Sequence, residues 1–377
     1  MIPQPDTAGD HSLALPPVRV SVAMITYNHE RYIEQAVRSV LTQKVSFRYE
    51  IIIGEDCSTD GTRKILNELQ RQHPDRIRVL EHPRNLGMLP NFVATLHACR
   101  GEYVALLEGD DYWVDDTKLQ QQVDFLDAHP ECSICHTNAY RVIGDQSPAS
   151  AEAIHLKPPP QPMSTGHLLN GHMCVTCTMM YRNRLLDEFP DWFTAGYSGD
   201  WTLQLLNLRY GVAGYLDQRM GAYRIHPQSN WSSMDRREQL RRMIATVELA
   251  RPIIPAALQP QLDHMIALRH EDMLEQMFRD GQNDEARDYA ASHLANQSGY
   301  HRLRCFFGGL QAESQGHRLR GLWQLSQSLV TGWGRTRIRM FDILLAMGRC
   351  ASPALYRLIR SVRGRKISDA SRDADGC

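Results

Sequence analysis

No run of about 18 or more apolar residues, the length a membrane-spanning helix needs, occurs in this 377-residue sequence. The opening stretch, MIPQPDTAGDHSLALPPVRV, lacks both a basic start and a long apolar segment, so no secretory signal is expected. Charge of one sign is missing as well. The 42 Lys and Arg residues nearly balance 43 Asp and Glu, which argues against a partner such as nucleic acid that binds through bulk positive charge. Action in the cytoplasm, or peripherally on the cytoplasmic face of a membrane, is the expectation. Gly-rich phosphate loops are absent too: neither G-x-G-x-x-G nor G-x-x-x-x-G-K-[ST] follows the first apolar run.

Cysteine is present without a disulfide pattern. Nine cysteines, an odd number, are scattered along the chain and read as free thiols. Two CxxC pairs, Cys132 with Cys135 and Cys174 with Cys177, suggest zinc at first. Each falls in an apolar run that reads as a strand, where positions i and i+3 point to opposite faces. Buried free cysteines are the expectation.

What is present is an ordinary globular composition, 42% hydrophobic and 23% charged, with room for one large domain and a second region. Residues 1–17 read as a flexible arm. VRVSVAMITYN (18–28) is a continuous β-rich run suited to a strand covered on both faces. Helical spacing follows in Ile33, Ala36, Val37, Val40 and Leu41, with Asn28 a candidate cap. YEIIIGED, IRVLEH and YVALLEG repeat the alternation, each trailed by a helical pattern. Such alternation predicts an α/β fold with a mostly parallel, Rossmann-like sheet. Beyond residue 130, CSICHTNAYRVI and CVTCTMMYR read as strands. A helix after Ser198 and two short strands ending at AYRIHPQSNWS come next. Past Met234 the chain reads as helical. The expected division is 1–17, 18–234 and 235–377.

In an open parallel sheet, ligands bind beyond the carboxyl ends of the strands. Here those ends carry TYN (26–28), GEDCSTDGT (54–62) and EGDDYW (108–113). Asp110 and Asp111 are the informative pair. Adjacent like charges at the exit of a buried strand repel each other, and a hard divalent cation relieves that repulsion while bridging to phosphate oxygens. A helix cap would need only one of them.

These segments carry a resemblance. VSVAMITYNHERYIEQAVRSVLTQ, EIIIGEDCSTDGT, HPRNLGMLPNF, GEYVALLEGDDYWVDDTKLQQQ and YRIHPQSNWS, in this order over 18–232, resemble a family 2 glycosyltransferase of the GT-A fold. The resemblance implies a donor site in which Tyr27, flanked by Thr26 and Asn28, stacks on a nucleotide base and Asp56 accepts a hydrogen bond from that base. Asn85 would line the donor pocket and Asp110 would face the ribose or donor sugar. Asp111 would ligate Mg²⁺ or Mn²⁺, with His226 closing the metal and diphosphate site. Glu55 stands where the family more often has aspartate. Structural alternatives stay open: Tyr27 packed on the first helix, Asp56 and Asp60 as cap and turn residues, His226 as a satisfied loop histidine, and Trp113 as core or pocket wall.

Sugar transfer also needs a base for the acceptor hydroxyl. The resemblance points to Asp200, at the start of a helix in AGYSGDWTLQLLNLRYG; Asp187, Glu188 and Asp191 stand nearby as other candidates. An N-cap role would suit Asp200 equally. Together these features imply an inverting, metal-dependent glycosyltransferase that takes a sugar from a nucleotide sugar, a UDP-sugar by resemblance, with GDP and dTDP sugars open. The acceptor would be a glycan or lipid-linked molecule in surface polysaccharide synthesis. A sugar nucleotidyltransferase would show a Gly-rich, Arg-bearing loop where ITYNHERY stands; a non-catalytic sugar-nucleotide-binding scaffold is the alternative from another class. Near the end, nine basic residues and one acid lie between Arg335 and Lys366, around the stripe Leu355, Leu358, Ile359 and Val362. That segment could lie on an anionic membrane or pack on its own domain.

Overall fold

The computed structural model describes residues 16–186 and 188–294. It divides into two compact units, the boundary falling between Ser233 and Met234. The basic segment 335–366, residues 1–15 and Asp187 lie outside the described residues.

The first unit opens with β1 (Val20–Thr26), α1 (Ile33–Leu41), β2 (Tyr49–Glu55), α2 (Thr62–Gln72), β3 (Ile77–Glu81), α3 (Met88–His97) and β4 (Tyr103–Glu108). Strands β3, β2, β1 and β4 lie side by side and parallel. Their apolar runs are continuous because both faces are covered: every residue of β2 is buried, as are six of seven in β1. A strand open to solvent on one face would alternate instead.

The sheet then changes character. After β5 (Tyr112–Trp113) and α4 (Lys118–Ala128) come β6 (Cys132–Ile143), β7 (Glu152–Ala153), α5 (Thr165–Leu169), β8 (Met180–Arg182), α6 (Gly199–Asn207) and β9 (Val212–Ile225). The order across the sheet is β3-β2-β1-β4-β8-β6-β9-β5, with β7 beside β6. β8 runs antiparallel to both β4 and β6, β5 is antiparallel to β9, and β6 and β9 are parallel. The parallel half is the one legible from alternation; the second half is mixed.

Three local expectations are corrected. The run CVTCTMMYR is a strand only over Met180–Arg182, since Thr176–Thr178 forms a 3-10 turn. Cys174 and Cys177 are thus not in a strand, although both, like Cys132 and Cys135, are buried free thiols. The two short strands before His226 are one 14-residue strand, β9. Asn28 does not cap α1, whose N-cap is Tyr32. Asn28 instead takes a left-handed backbone with φ 57°, a conformation asparagine tolerates better than most residues.

The second unit contains α7 (Arg236–Ala250), α8 (Gln259–Arg279) and α9 (Asn283–Leu294). Asp235 caps α7 by accepting from the backbone N–H groups of Arg237 and Glu238, as an N-cap aspartate should. No helix among the described residues is long and apolar enough to cross a membrane.

Candidate active site

The parallel strands deliver their last residues to one edge. Asp56 N–H donates to the Thr26 carbonyl at 3.1 Å, and Gly109 N–H donates to the Ile25 carbonyl at 3.0 Å, so the exits of β1, β2 and β4 are tied together. Gly109 has a packing reason to be glycine. A Cβ there would stand 2.6 Å from Thr26 Oγ1 and 2.9 Å from His29 Nδ1.

At the exit of β1, Thr26 is buried while Tyr27 is 42% exposed. Tyr27 is therefore not buried against α1, and its ring is open to solvent beside the strand ends. Asn28 accepts from Thr59 N–H at 2.8 Å, and its own N–H donates to Ser58 Oγ at 3.0 Å, locking the β1 exit to the β2 exit. Asp56 is buried and organises the next loop. Its two oxygens accept from the N–H groups of Leu86 (2.7 Å) and Gly87 (3.0 Å), while Asn85 Nδ2 donates to the Asp56 carbonyl at 3.0 Å. Gly87 has φ 88°, which explains glycine in RNLG. Glu55 is buried too and turns inward, accepting from Ser58 N–H (2.6 Å) and Arg63 Nε (2.6 Å). Its role here is to hold the loop.

The two acids after β4 have different surroundings. Asp110 keeps a side chain 17% exposed, and its Oδ2 lies 3.1 Å from His226 Nε2 and 3.9 Å from His29 Nε2. Burial alone would raise its pKa, but the His226 hydrogen bond and the nearby imidazoles outweigh it and hold Asp110 below the usual carboxylate range. Asp111 is only 2% exposed. Its Oδ1 accepts from Arg224 N–H at 2.8 Å, and its carboxyl lies buried against the Cys177 thiol and the Glu108 carboxyl. Burial first, then the charge of Asp110, push Asp111 well above the usual range. His226 is held by Ser229 Oγ on its backbone N–H (3.1 Å) and by the Tyr32 ring, 4.6 Å away between centroids.

Two more carboxylates join this pair. Glu108 Oε2 is buried without a partner, and burial together with the charges of Asp111, Asp110 and Asp200 raises its pKa strongly. Asp200 sits in the first turn of α6, where the N-cap is Ser198, so a capping role for Asp200 is corrected. Its Oδ2 accepts from Thr176 Oγ1 at 2.9 Å; its Oδ1 accepts from Ser198 Oγ at 2.8 Å and from Trp201 N–H at 2.7 Å. Glu188 and Asp191 are exposed and do not contribute to this cluster. Trp113 belongs to the core, its Nε1–H donating to the Cys177 carbonyl at 2.7 Å.

Glu108, His29 and Thr176 were not singled out by sequence reasoning. Glu108 did lie within the quoted motif EGDDYW and His29 directly after TYN, and only the pairings reveal their part. Tyr223, whose pKa is raised by burial and then by the same four carboxylates, opens the quoted segment YRIHPQSNWS but was not singled out there.

Among the described residues no group of three or more His, Cys, Asp or Glu side chains is arranged to hold a metal. Magnesium-type ions are commonly held by one or two carboxylates plus substrate phosphates. The facing pair Asp110 and His226 fits that mode, with hard oxygen and imidazole donors in a field of repelling carboxylates. It does not fit an all-protein cage.

The sequence profile of glycosyl transferase family 2 matches residues 21–189. An uncharacterized protein of Mycobacterium tuberculosis is 35% identical over 226 residues, 58% of this chain and 63% of that protein. TuaG of Bacillus subtilis, a candidate teichuronic acid biosynthesis glycosyltransferase, is 38% identical over 129 residues, 34% of this chain and 50% of TuaG. The alignments thus span less than two thirds of these relatives' lengths. Among solved structures, the mannosyltransferase PcManGT from Pyrobaculum calidifontis, in complex with GDP-Man and Mn²⁺, superposes with a TM-score of 0.51 at 18% identity, covering 84% of this chain and 87% of that one. At that identity the likeness concerns the fold. The match to glycosyl transferase family 2 covers the part of the chain that carries the four parallel strands and Glu108, Asp110 and Asp111.

Proposed function

We propose that the protein is a metal-dependent glycosyltransferase that moves a sugar from a nucleotide-diphosphate sugar to a glycan or lipid-linked acceptor, with inversion at the anomeric carbon. The observation that carries this reading is the gathering of Glu108, Asp110, Asp111 and Asp200 beyond the strand ends, with His226 on Asp110. TuaG's name and the GDP-Man and Mn²⁺ bound to PcManGT support the reaction class and the surface-polysaccharide setting. A UDP-sugar remains the proposed donor.

In this reading the exposed Tyr27 ring stacks on the base. Asp56 accepts from the base with lone pairs left over from its two N–H contacts. Thr26, Asn28 and Asn85 shape the same pocket. The sequence pattern assigned the metal to Asp111 and the donor sugar to Asp110. The surroundings favour Asp110 with His226 as the pair that holds Mg²⁺ or Mn²⁺, because Asp111 is sealed from solvent against Cys177 and Glu108 and its Oδ1 is committed to Arg224 N–H. Asp111 then fixes the end of β9, and so the approach of His226. Bound there, a divalent cation would supply Lewis-acid stabilisation of the leaving diphosphate.

Asp200 is the proposed base. Three donors orient its carboxylate, and an acceptor hydroxyl meeting it would pass its proton to Asp200 while its oxygen attacks the anomeric carbon. The bond to the diphosphate oxygen breaks on the opposite face, which inverts the configuration.

Calorimetric titration of UDP, GDP and dTDP, each with and without Mn²⁺, tests the donor site. Binding of one nucleotide that requires metal and is lost in folded Asp110→Ala is the expected result. Failure of the folded wild type to bind any of the three, with or without metal, would move the assignment to a scaffold.

A further inference from the structure

The pairing of β6 with β9 is broken where β9 carries extra residues. Thr137 faces Leu216, but Asn138 faces Arg219 and Ala139 faces Gly221. Asp217 and Gln218 therefore have no counterparts and bulge outward, and residues 217–219 are all exposed. Bulges re-aim side chains and are over-represented beside functional sites. This one forms a wall of an open cavity of about 470 Å³, a volume suited to a small ligand. Arg224, which fixes Asp111, lies five residues farther along β9, roughly 15 Å at the usual strand rise. The cavity is thus separate from the carboxylates but on the same strand.

Its lining is chemically mixed. Arg219 lies with its guanidinium 5.4 Å from the Tyr140 ring centroid, and among the described residues no carboxylate forms an ion pair with it. Stacking of this kind leaves the in-plane N–H groups free to form a two-pronged contact with an anion. Opposite, Leu156 is 85% exposed and with Pro158 offers an apolar surface. Asn138 holds that segment in place, its side chain accepting from His155 N–H (3.0 Å) and donating to the His155 carbonyl (2.8 Å).

His155 Nε2 is buried without a partner, and behind it the fully buried His136 ring has neither nitrogen satisfied. Burial, then the neighbouring His172, lowers the His155 pKa, which disfavours a second positive charge beside the cavity. Asp217, which accepts from Tyr215 Oη at 3.1 Å, adds an acceptor for ligand hydroxyls.

We infer that this cavity is a remote acceptor subsite for an acidic saccharide, its ring faces against Tyr140, Leu156 and Pro158 and its carboxylate on Arg219. A cation over an aromatic ring with no ion-pair partner, apolar surface and the exposed polar groups of Asp217 and Gln218 together match a sugar that carries a negative charge; a neutral glycan would leave Arg219 unanswered. The subsite rests on the glycosyltransferase reading, and it implies an acceptor several sugar units long, gripped away from the reacting end.

The test uses the full chain and two probes, tetragalacturonate and the neutral maltotetraose, with binding followed by calorimetry at low and high salt. Tetragalacturonate should bind in a salt-sensitive way and at least about tenfold more tightly than maltotetraose. Arg219→Ala should weaken it by about tenfold or more, the loss expected for a charge-assisted contact. Tyr140→Ala should weaken it as well, and both variants should bind nucleotide with Mn²⁺ as the wild type does. Equal binding of the two probes, no binding of either, or tetragalacturonate binding unchanged in Arg219→Ala would overturn the subsite. Loss of nucleotide binding by the wild type would instead sink the glycosyltransferase reading, so the two failures are distinguishable.

Discussion

Lys118 is fully buried behind the candidate site. Its ammonium donates to Gln122 Oε1 at 2.6 Å and lies 4.2 Å from the Trp113 ring centroid, and burial pushes its pKa down from 10.5 to about 7. Between those values the unfolded chain binds a proton that the folded chain has shed. Stability from this group therefore rises with pH across the window, by up to about 1.4 kcal/mol per pH unit. Lys118→Met keeps much of the volume and removes the titration. Denaturant unfolding at pH 7.5 and pH 9.5 should show the wild type gaining about 2 kcal/mol on the variant between the two. Parallel stabilities at both pH values would contradict the buried, depressed lysine.

The same scale shows what sequence could and could not carry. The adjacent acids Asp110 and Asp111 were visible as an anomaly at a strand exit. Their division of labour was not, because it depends on which one meets His226, 116 residues away, and which one meets the Arg224 backbone. Asn28 read as a cap because asparagine serves both caps and left-handed turns, and only the contacts with Ser58 and Thr59 decide between them.

Among the elements, β1, β2 and β4 were legible because strands covered on both faces are written as unbroken apolar runs. β9 was not, since Asp217, Gln218 and Arg219 interrupt it with polar residues that the bulge carries outward. The CVTCTMM run hid a 3-10 turn because small and sulfur-bearing residues give no clear period. Where β2 meets α3, packing is tight. A Cβ on Gly54 would come within 2.1 Å of Thr95 Oγ1 and 2.2 Å of Asn91 Oδ1, and Asn91 Nδ2 already donates to the Gly54 carbonyl at 2.9 Å. Gly54→Ala should therefore destabilise the first unit by about 1–3 kcal/mol, read as a lower urea midpoint. An unchanged midpoint would mean that α3 is not seated as closely as these distances require.

For the whole molecule, the convergence of the candidate residues was legible from topology alone, because parallel strands present their carboxyl ends at one edge and chemistry-bearing motifs ended three of them. Asp200 belongs to that edge through Thr176 and through its charge on Glu108, neither of which leaves a trace in spacing. The acceptor cavity on β6 and β9 was equally invisible, since a bulge exists only once two strands are paired.

The most direct test of the account is release of nucleotide diphosphate from a panel of UDP-, GDP- and dTDP-sugars with Mn²⁺ and acceptor, wild type against Asp200→Asn. The account predicts turnover of one donor by the wild type. It also predicts a fall of about 10²- to 10⁴-fold in kcat for Asp200→Asn, the usual worth of a general base, with nucleotide binding retained. Turnover by Asp200→Asn at the wild-type rate, or nucleotide binding without turnover of any donor by the wild type, would contradict it.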